Sequence, residues 1–234
     1  MVLDNRNKIR TGDVLLFSGS TTTAFLIKFF SSSKYNHMGI AVRLDDNKRV
    51  TNELTGRLFV LEINAIKRYD VISEKYTEGL ALTDYDDVIK NYNDIYVRHI
   101  DESYIRNNFC QKIETFLKEH ANVNYSSTLG PIIGVWLGCP LSGIKREKDE
   151  MFCSELSAYF YLDVCGRIPT IDKPAKLYKP DDFTYPNIGI FKDVEYSIYM
   201  DHVDVSVALI IPIIVGIFFV VFISMIFPRH KYYK

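Results

Sequence analysis

What bears hardest on how this chain can fold is a set of short runs rich in β-branched and aromatic residues, separated by polar turns, before residue 101. "GDVLLF" (12–17), "HMGIAVRL" (37–44), "LFVLEINAI" (58–66) and "DIYVRHI" (94–100) read as strands. The pattern then changes period. "TTTAFLIKFFS" (21–31) is predicted as a short amphipathic helix. Residues 103–118 form a second one, with Ile105, Phe109, Ile113 and Leu117 on one face and Cys110 beside them as a core residue. An apolar loop, "LGPIIGVWLGCPL" (129–141, with Trp136), precedes a further helix that begins near 150. Strands, helix, loop, helix is the order of an α+β domain.

Composition agrees with a packed protein: 47% of residues are hydrophobic and 14% aromatic. Twenty-eight basic residues against twenty-nine acidic ones leave a net charge of -1, so no overall field attracts nucleic acid, and none is expected as a partner. Four cysteines, Cys110, Cys139, Cys153 and Cys165, are too few for a secreted disulfide framework.

Residues 205–227 carry no charge over twenty-three positions and are expected to form a C-terminal transmembrane helix. This divides the chain into a globular domain, 1–200, and an anchor with a short basic tail, 201–234. The amino terminus has no apolar leader, which predicts a cytosolic domain on a viral or host membrane, tail-anchored after synthesis. The flanking charges, Asp201 and Asp204 against Arg229, Lys231 and Lys234, argue instead for a cytosolic tail. The cytosolic domain is preferred, because exporting a large domain without a leader is the harder event.

The stretch "EMFCSELSAYFY" (150–161) sets Cys153 in the first turn of a helix, on a face with Leu156, Ser157 and Phe160. Packing alone accounts for a cysteine there. A first-turn cysteine, however, also feels the unpaired amides and positive end of the helix, which favour thiolate. A nucleophile needs a base, and His37 stands where the polar loop "SSSKYN" turns into an apolar strand. Glu62 lies inside "FVLEINA", where a carboxylate is costly unless paired, and an imidazole on the adjacent strand is a suitable partner. Thiol, imidazole and orienting carboxylate make up a nucleophile triad.

At these residues the sequence resembles the circularly permuted branch of the papain-like NlpC superfamily, which includes YiiX-like bacterial proteins, lecithin:retinol acyltransferase-like enzymes and relatives in large DNA viruses. "GDVLLF", "SKYNHMGIAV", "FVLEI" and "FCSEL" carry the likeness in the permuted order, histidine first and cysteine last, and "KPDDF" (179–183) resembles the segment that closes such domains. The resemblance implies an antiparallel sheet packed on helices. It makes Cys153 the nucleophile, His37 the base and later the acid, and Glu62 the group that orients His37, with the Cys153 amide donating to the oxyanion. Asn64, on the same strand face, is the rival of Glu62, because the third position varies in this superfamily. Tyr159 or Tyr161 would assist. The long segment 45–57 leaves the register of the two strands open.

His99, His120, His202 and His230 have no cysteine or carboxylate at metal-ligand spacing, and no HExxH, phosphate-binding or dinucleotide motif occurs, so no metal and no cofactor are expected. The chemistry expected is acyl transfer at an ester, thioester or amide through an acyl-thioester. A membrane lipid is the preferred substrate, on the strength of the anchor. A peptidase or amidase with the same triad, or a silent membrane-tethered interaction protein, are the alternatives. Oligomeric state is not legible.

Overall fold

Alternation decides which side of each strand meets which layer. In the computed structural model, which describes residues 5–21, 24–25, 27–28, 33–126, 150–167, 174–184 and 189–199, the elements follow in mixed order. They are β1 (Val14–Ser18), β2 (His37–Leu44), β3 (Val50–Thr51), β4 (Arg57–Asp70), β5 (Lys75–Asp84), α1 (Tyr85–Ile89), β6 (Asp94–Ile100), α2 (Phe109–Glu119), β7 (Asn124–Tyr125), β8 (Glu150–Met151), α3 (Cys153–Cys165) and β9 (Phe191–Tyr199). Seven strands form one sheet in the order β5-β4-β2-β1-β6-β9, with β3 on β2. Each of its pairings is antiparallel. The short β7 and β8 pair in parallel.

Successive residues point to opposite faces. Val14, Leu16, Met38, Ile40, Phe59 and Leu61 join Phe109, Ile113 and Phe116 of α2 and Leu156 and Phe160 of α3 in one buried cluster. Leu15, Phe17, Ala41, Val60, Ile95 and Val97 build a second with Tyr85 and Val88 of α1 and with Tyr92. The β1–β2 register sets Phe17 opposite His37, and the β2–β4 register sets Ile40 opposite Leu61. One step further, Glu62 comes opposite Gly39 on the His37 side. A Cβ at Gly39 would lie 2.5 Å from Val60 Cγ1 and 2.9 Å from the Leu61 carbonyl oxygen, so only glycine lets the two strands close there.

The predicted α+β class holds, with shifts at the edges. The 103–118 helix resolves into a 3-10 turn, Glu102–Tyr104, followed by α2, and Phe116 is buried on it while Leu117 is only partly so. Cys110 packs against the core at half-burial. Of 21–31, Ala24, Phe25, Ile27 and Lys28 are helical, and several of the others lie outside the described residues, as does the whole loop 129–141 with Trp136. "KPDDF" contains a 3-10 turn, Pro180–Phe183. Strands β3, β5, β7, β8 and β9 and the short helix α1 are additions to the sequence reading.

The expected C-terminal transmembrane helix, and with it the single-pass tail anchor and membrane location, is corrected. No helix among the described residues is long and apolar enough to cross a membrane. The 13 residues of α3 fall short of the roughly 20 that a span requires. Residues 205–227 lie outside the described residues, and an apolar run in a sequence records a tendency to leave water, not which partner covers it.

Candidate active site

Three elements bring the site together. His37 is the first residue of β2, so its ring sits at the rim of the sheet. Glu62 lies within β4 and is fully buried. Cys153 is the first residue of α3, and it is delivered by β8, whose Glu150 and Met151 pair with Asn124 and Tyr125 of β7. The helix start is pinned on several sides. The Ser154 hydroxyl donates to the Tyr178 carbonyl at 2.6 Å, the Ser157 hydroxyl to the Cys153 carbonyl at 2.9 Å, and the Phe152 amide to the Glu155 carboxylate at 3.5 Å. The first-turn amides of a helix have no acceptor within it, so those at Cys153 and Ser154 face outward as donors.

His37 Nε2 lies 2.8 Å from Glu62 Oε2. That leaves Nδ1 unoccupied by Glu62, and the Cys153 side chain acts on the same ring through its charge and a hydrogen bond. Burial alone would lower the pKa of His37, but the charge and hydrogen bond of Cys153, followed by those of Glu62, outweigh it and raise the pKa from 6.5 to about 10. At neutral pH the ring is therefore an imidazolium, placed between the Cys153 side chain and the Glu62 carboxylate. Phe17 and Tyr92 stack on it with ring centroids 5.7 and 5.8 Å away, which fixes its plane.

Asn64, the rival third residue, does not meet the imidazole among its hydrogen bonds; its Nδ2 donates to Glu62 Oε2 at 2.9 Å and braces the carboxylate. Tyr161 is corrected as an assisting group: it is fully buried, its hydroxyl donates to the Gly12 carbonyl at 2.8 Å, and its ring packs on Phe160 and Phe191. Tyr159 is a half-buried residue packed against the core. The tyrosines near the thiol are Tyr92 and Tyr125, neither foreseen. Burial raises both phenols; the charge of Glu62 and, less, that of Cys153 raise Tyr92 further, and the charge of Cys153 raises Tyr125. Arg68 is a further neighbour, its Nε 3.7 Å from Glu62 Oε1. No local sequence signal marks these three, because each arrives through long-range packing or a strand irregularity.

The other histidines have structural partners where they are described. His99 Nδ1 lies 2.7 Å from Asp13 Oδ2, and His120 Nδ1 lies 3.0 Å from the Phe116 carbonyl oxygen. His202 and His230 lie outside the described residues. Among the described residues no group of three or more His, Cys, Asp or Glu side chains is placed to hold a metal ion.

Fold and site together define an α+β protein with a buried thiol, imidazole and carboxylate in sequence. No family model matches the chain. It is similar to an uncharacterized protein of Acanthamoeba polyphaga mimivirus, 25% identical over 222 residues, with 83% of this chain and 82% of that protein covered. Among solved structures it is similar to the metalloprotein yiiX from Escherichia coli O157:H7, 17% identical with a TM-score of 0.42, covering 82% of this chain and 89% of that one. A likeness at that TM-score carries no weight for function. Neither similarity confirms the papain-like superfamily that the motifs resemble.

Proposed function

We propose that this protein is a cysteine acyl-transfer enzyme in which Cys153 attacks an ester, thioester or amide carbonyl. The 2.8 Å pairing of His37 with the buried Glu62 carboxylate, with the Cys153 side chain acting on the same ring, is the observation that carries this reading. The Cys153 sulfur, as thiolate, forms a bond to the carbonyl carbon while the carbonyl π pair moves onto oxygen. The outward-facing first-turn amides stabilise that oxyanion. Collapse restores the carbonyl and expels the alkoxide, amine or thiolate, which takes the proton from imidazolium Nδ1. An acyl-thioester remains. Water or another acceptor then attacks it as His37 Nδ1 takes the acceptor proton, and the thiolate leaves as the acyl product forms.

His37 thus enters as an acid and serves as a base in the second half. Glu62 holds its Nε2 side throughout, and Asn64 keeps Glu62 in place. The choice of a lipid among acyl substrates rested on the membrane anchor and is dropped with it.

The test compares thiols within one protein. Burial raises the Cys110 thiol and pushes the Cys165 thiol up to about 12, so both are slow internal controls near neutral pH. At pH 7, iodoacetamide is expected to label Cys153 at least tenfold faster than either, and His37→Ala should abolish the difference, since thiolate is the reactive form. Equal labelling of the three cysteines in the wild type would sink the proposal.

A further inference from the structure

The two oxygens of Glu62 are treated differently. Oε2 lies 2.8 Å from His37 Nε2 and accepts from Asn64 Nδ2 at 2.9 Å. Oε1 is buried, accepts no hydrogen bond, and faces Arg68 Nε at 3.7 Å. That distance is too long for a hydrogen bond, and Arg68 Nε is itself a buried donor without an acceptor. The guanidinium is therefore held against the carboxylate by charge alone. Its side chain is 14% exposed, so the arginine is sunk in the protein and yet reaches its surface.

An irregularity in the sheet puts it there. Between β4 and β5 the pairing runs from Asn64 opposite Gly79 to Arg68 opposite Thr77, so four steps on β4 answer two on β5. Six residues of straight strand from Glu62 to Arg68 would span roughly 20 Å. The bulge shortens this path and turns the Arg68 side chain back onto Glu62, the kind of re-aiming that bulges provide. Glu62 is in turn 2.8 Å from His37 Nε2, so the arginine stands one residue away from the imidazole of the site.

A guanidinium whose Nε donor is buried and unused carries a desolvation cost, while the rest of its fork is free to meet a ligand. Its planar fork matches a carboxylate or a phosphate with two parallel hydrogen bonds. We propose that Arg68 is the anion-reading residue of the site and that the acyl substrate carries a carboxylate or phosphate close to the carbonyl under attack. This rests on the acyl-transfer reading of Cys153. Arg68 binds and orients; it takes no part in bond making.

Two alkylating reagents of nearly equal size test it on the full-length chain. With each, the Cys153 sulfur displaces iodide and forms one S–C bond; iodoacetate brings a carboxylate and iodoacetamide does not. Labelling of Cys153 at pH 7 is followed by mass spectrometry in the wild type, Arg68→Met and Arg68→Lys, with melting curves to show that each variant folds. Arg68→Met is expected to slow iodoacetate about tenfold or more, the size of a lost hydrogen bond to a charged group, and to change iodoacetamide less than about threefold. Arg68→Lys should fall between, and serves in its place if the methionine variant does not fold. Inorganic phosphate and acetate are added in turn as protectants against iodoacetate: the stronger one names the anion, and protection by neither counts against the proposal.

If both reagents slow alike, or neither changes, Arg68 is only a countercharge to Glu62 and the proposal is overturned, while fast labelling of Cys153 leaves the acyl-transfer reading standing. If Cys153 is not fast in the wild type, that reading falls instead. Arg68 is then judged by calorimetric titration of inorganic phosphate into Cys153→Ser with and without Arg68→Met: weaker binding without the arginine upholds the anion site, and equal or absent binding overturns it.

Discussion

His37 is where stability and chemistry meet in one side chain. Its pKa in the folded protein, about 10, lies above the ordinary 6.5, so proton binding favours the folded state. The stabilisation is fully present below 6.5 and is lost as pH rises through 10. A melting curve at each pH from 6 to 10.5 should therefore decline more steeply for the wild type than for His37→Gln. Cys153→Ser should flatten most of the difference, because the cysteine supplies the larger share of what holds the proton. Parallel curves for wild type and His37→Gln would mean that the ring is not held as a cation. His37, Cys153 and Glu62 were legible in the sequence for physical reasons: a histidine at a strand start, a cysteine at a helix start and a carboxylate inside an apolar strand each break a local pattern. Arg68 and Tyr92 break none, and only the fold sets the one against Glu62 and the other against the His37 ring.

At the level of elements, the irregular pieces position the site as much as the regular ones. The segment that carries Tyr125 is tied to the sheet where the Leu80 amide donates to the Val123 carbonyl at 2.9 Å. Gly79 makes that approach possible: its φ is +95°, and a Cβ there would lie 2.4 Å from the Val123 oxygen and 2.9 Å from Asn124 Cα. The same segment pairs through β7 with β8, two residues before Cys153. Gly79→Ala is thus expected to destabilise the protein by about 1–3 kcal/mol through left-handed backbone strain and the clash. It should also slow Cys153 labelling severalfold, by shifting β8 and the start of α3. A melting temperature and a labelling rate at wild-type values would show that the segment can move away without consequence for the site. The strands at 37–44 and 94–100 match β2 and β6 because nearly every residue in them is apolar or buried. Strand β5 was not legible, since its first half is exposed and polar and only Leu80, Ala81 and Leu82 show an apolar run. The bulge that turns Arg68 inward has no signature in "NAIKR" that distinguishes it from a continuing strand.

For the whole molecule, the sheet is the shared floor of two buried clusters, one beneath α2 and α3 and the other around α1 and Tyr92. Each strand in the middle of the sheet contributes alternate residues to both, so neither cluster can dissolve while the other keeps its floor. The α+β class followed from the order of apolar periods, whereas the membrane-spanning helix did not carry over, because hydropathy alone was its warrant. A floor with two occupied faces predicts a single cooperative transition on unfolding. Phe116→Ala on the first face and Leu15→Ala on the second both empty fully buried positions, and each should cost about 2–5 kcal/mol. Cys165 supplies an independent probe: its thiol is pushed up to about 12 in the fold and returns to about 8.5 when the chain unfolds. Pulsed alkylation of Cys165 at pH 8 along a urea titration, set beside far-UV circular dichroism, should give coincident midpoints in the wild type and in both variants. Both variants should shift the two signals together, whichever face was emptied. If Leu15→Ala moved the circular dichroism midpoint and left Cys165 protected, the two faces would be separate cooperative units, and the end of α3 would not depend on the packing of the opposite face.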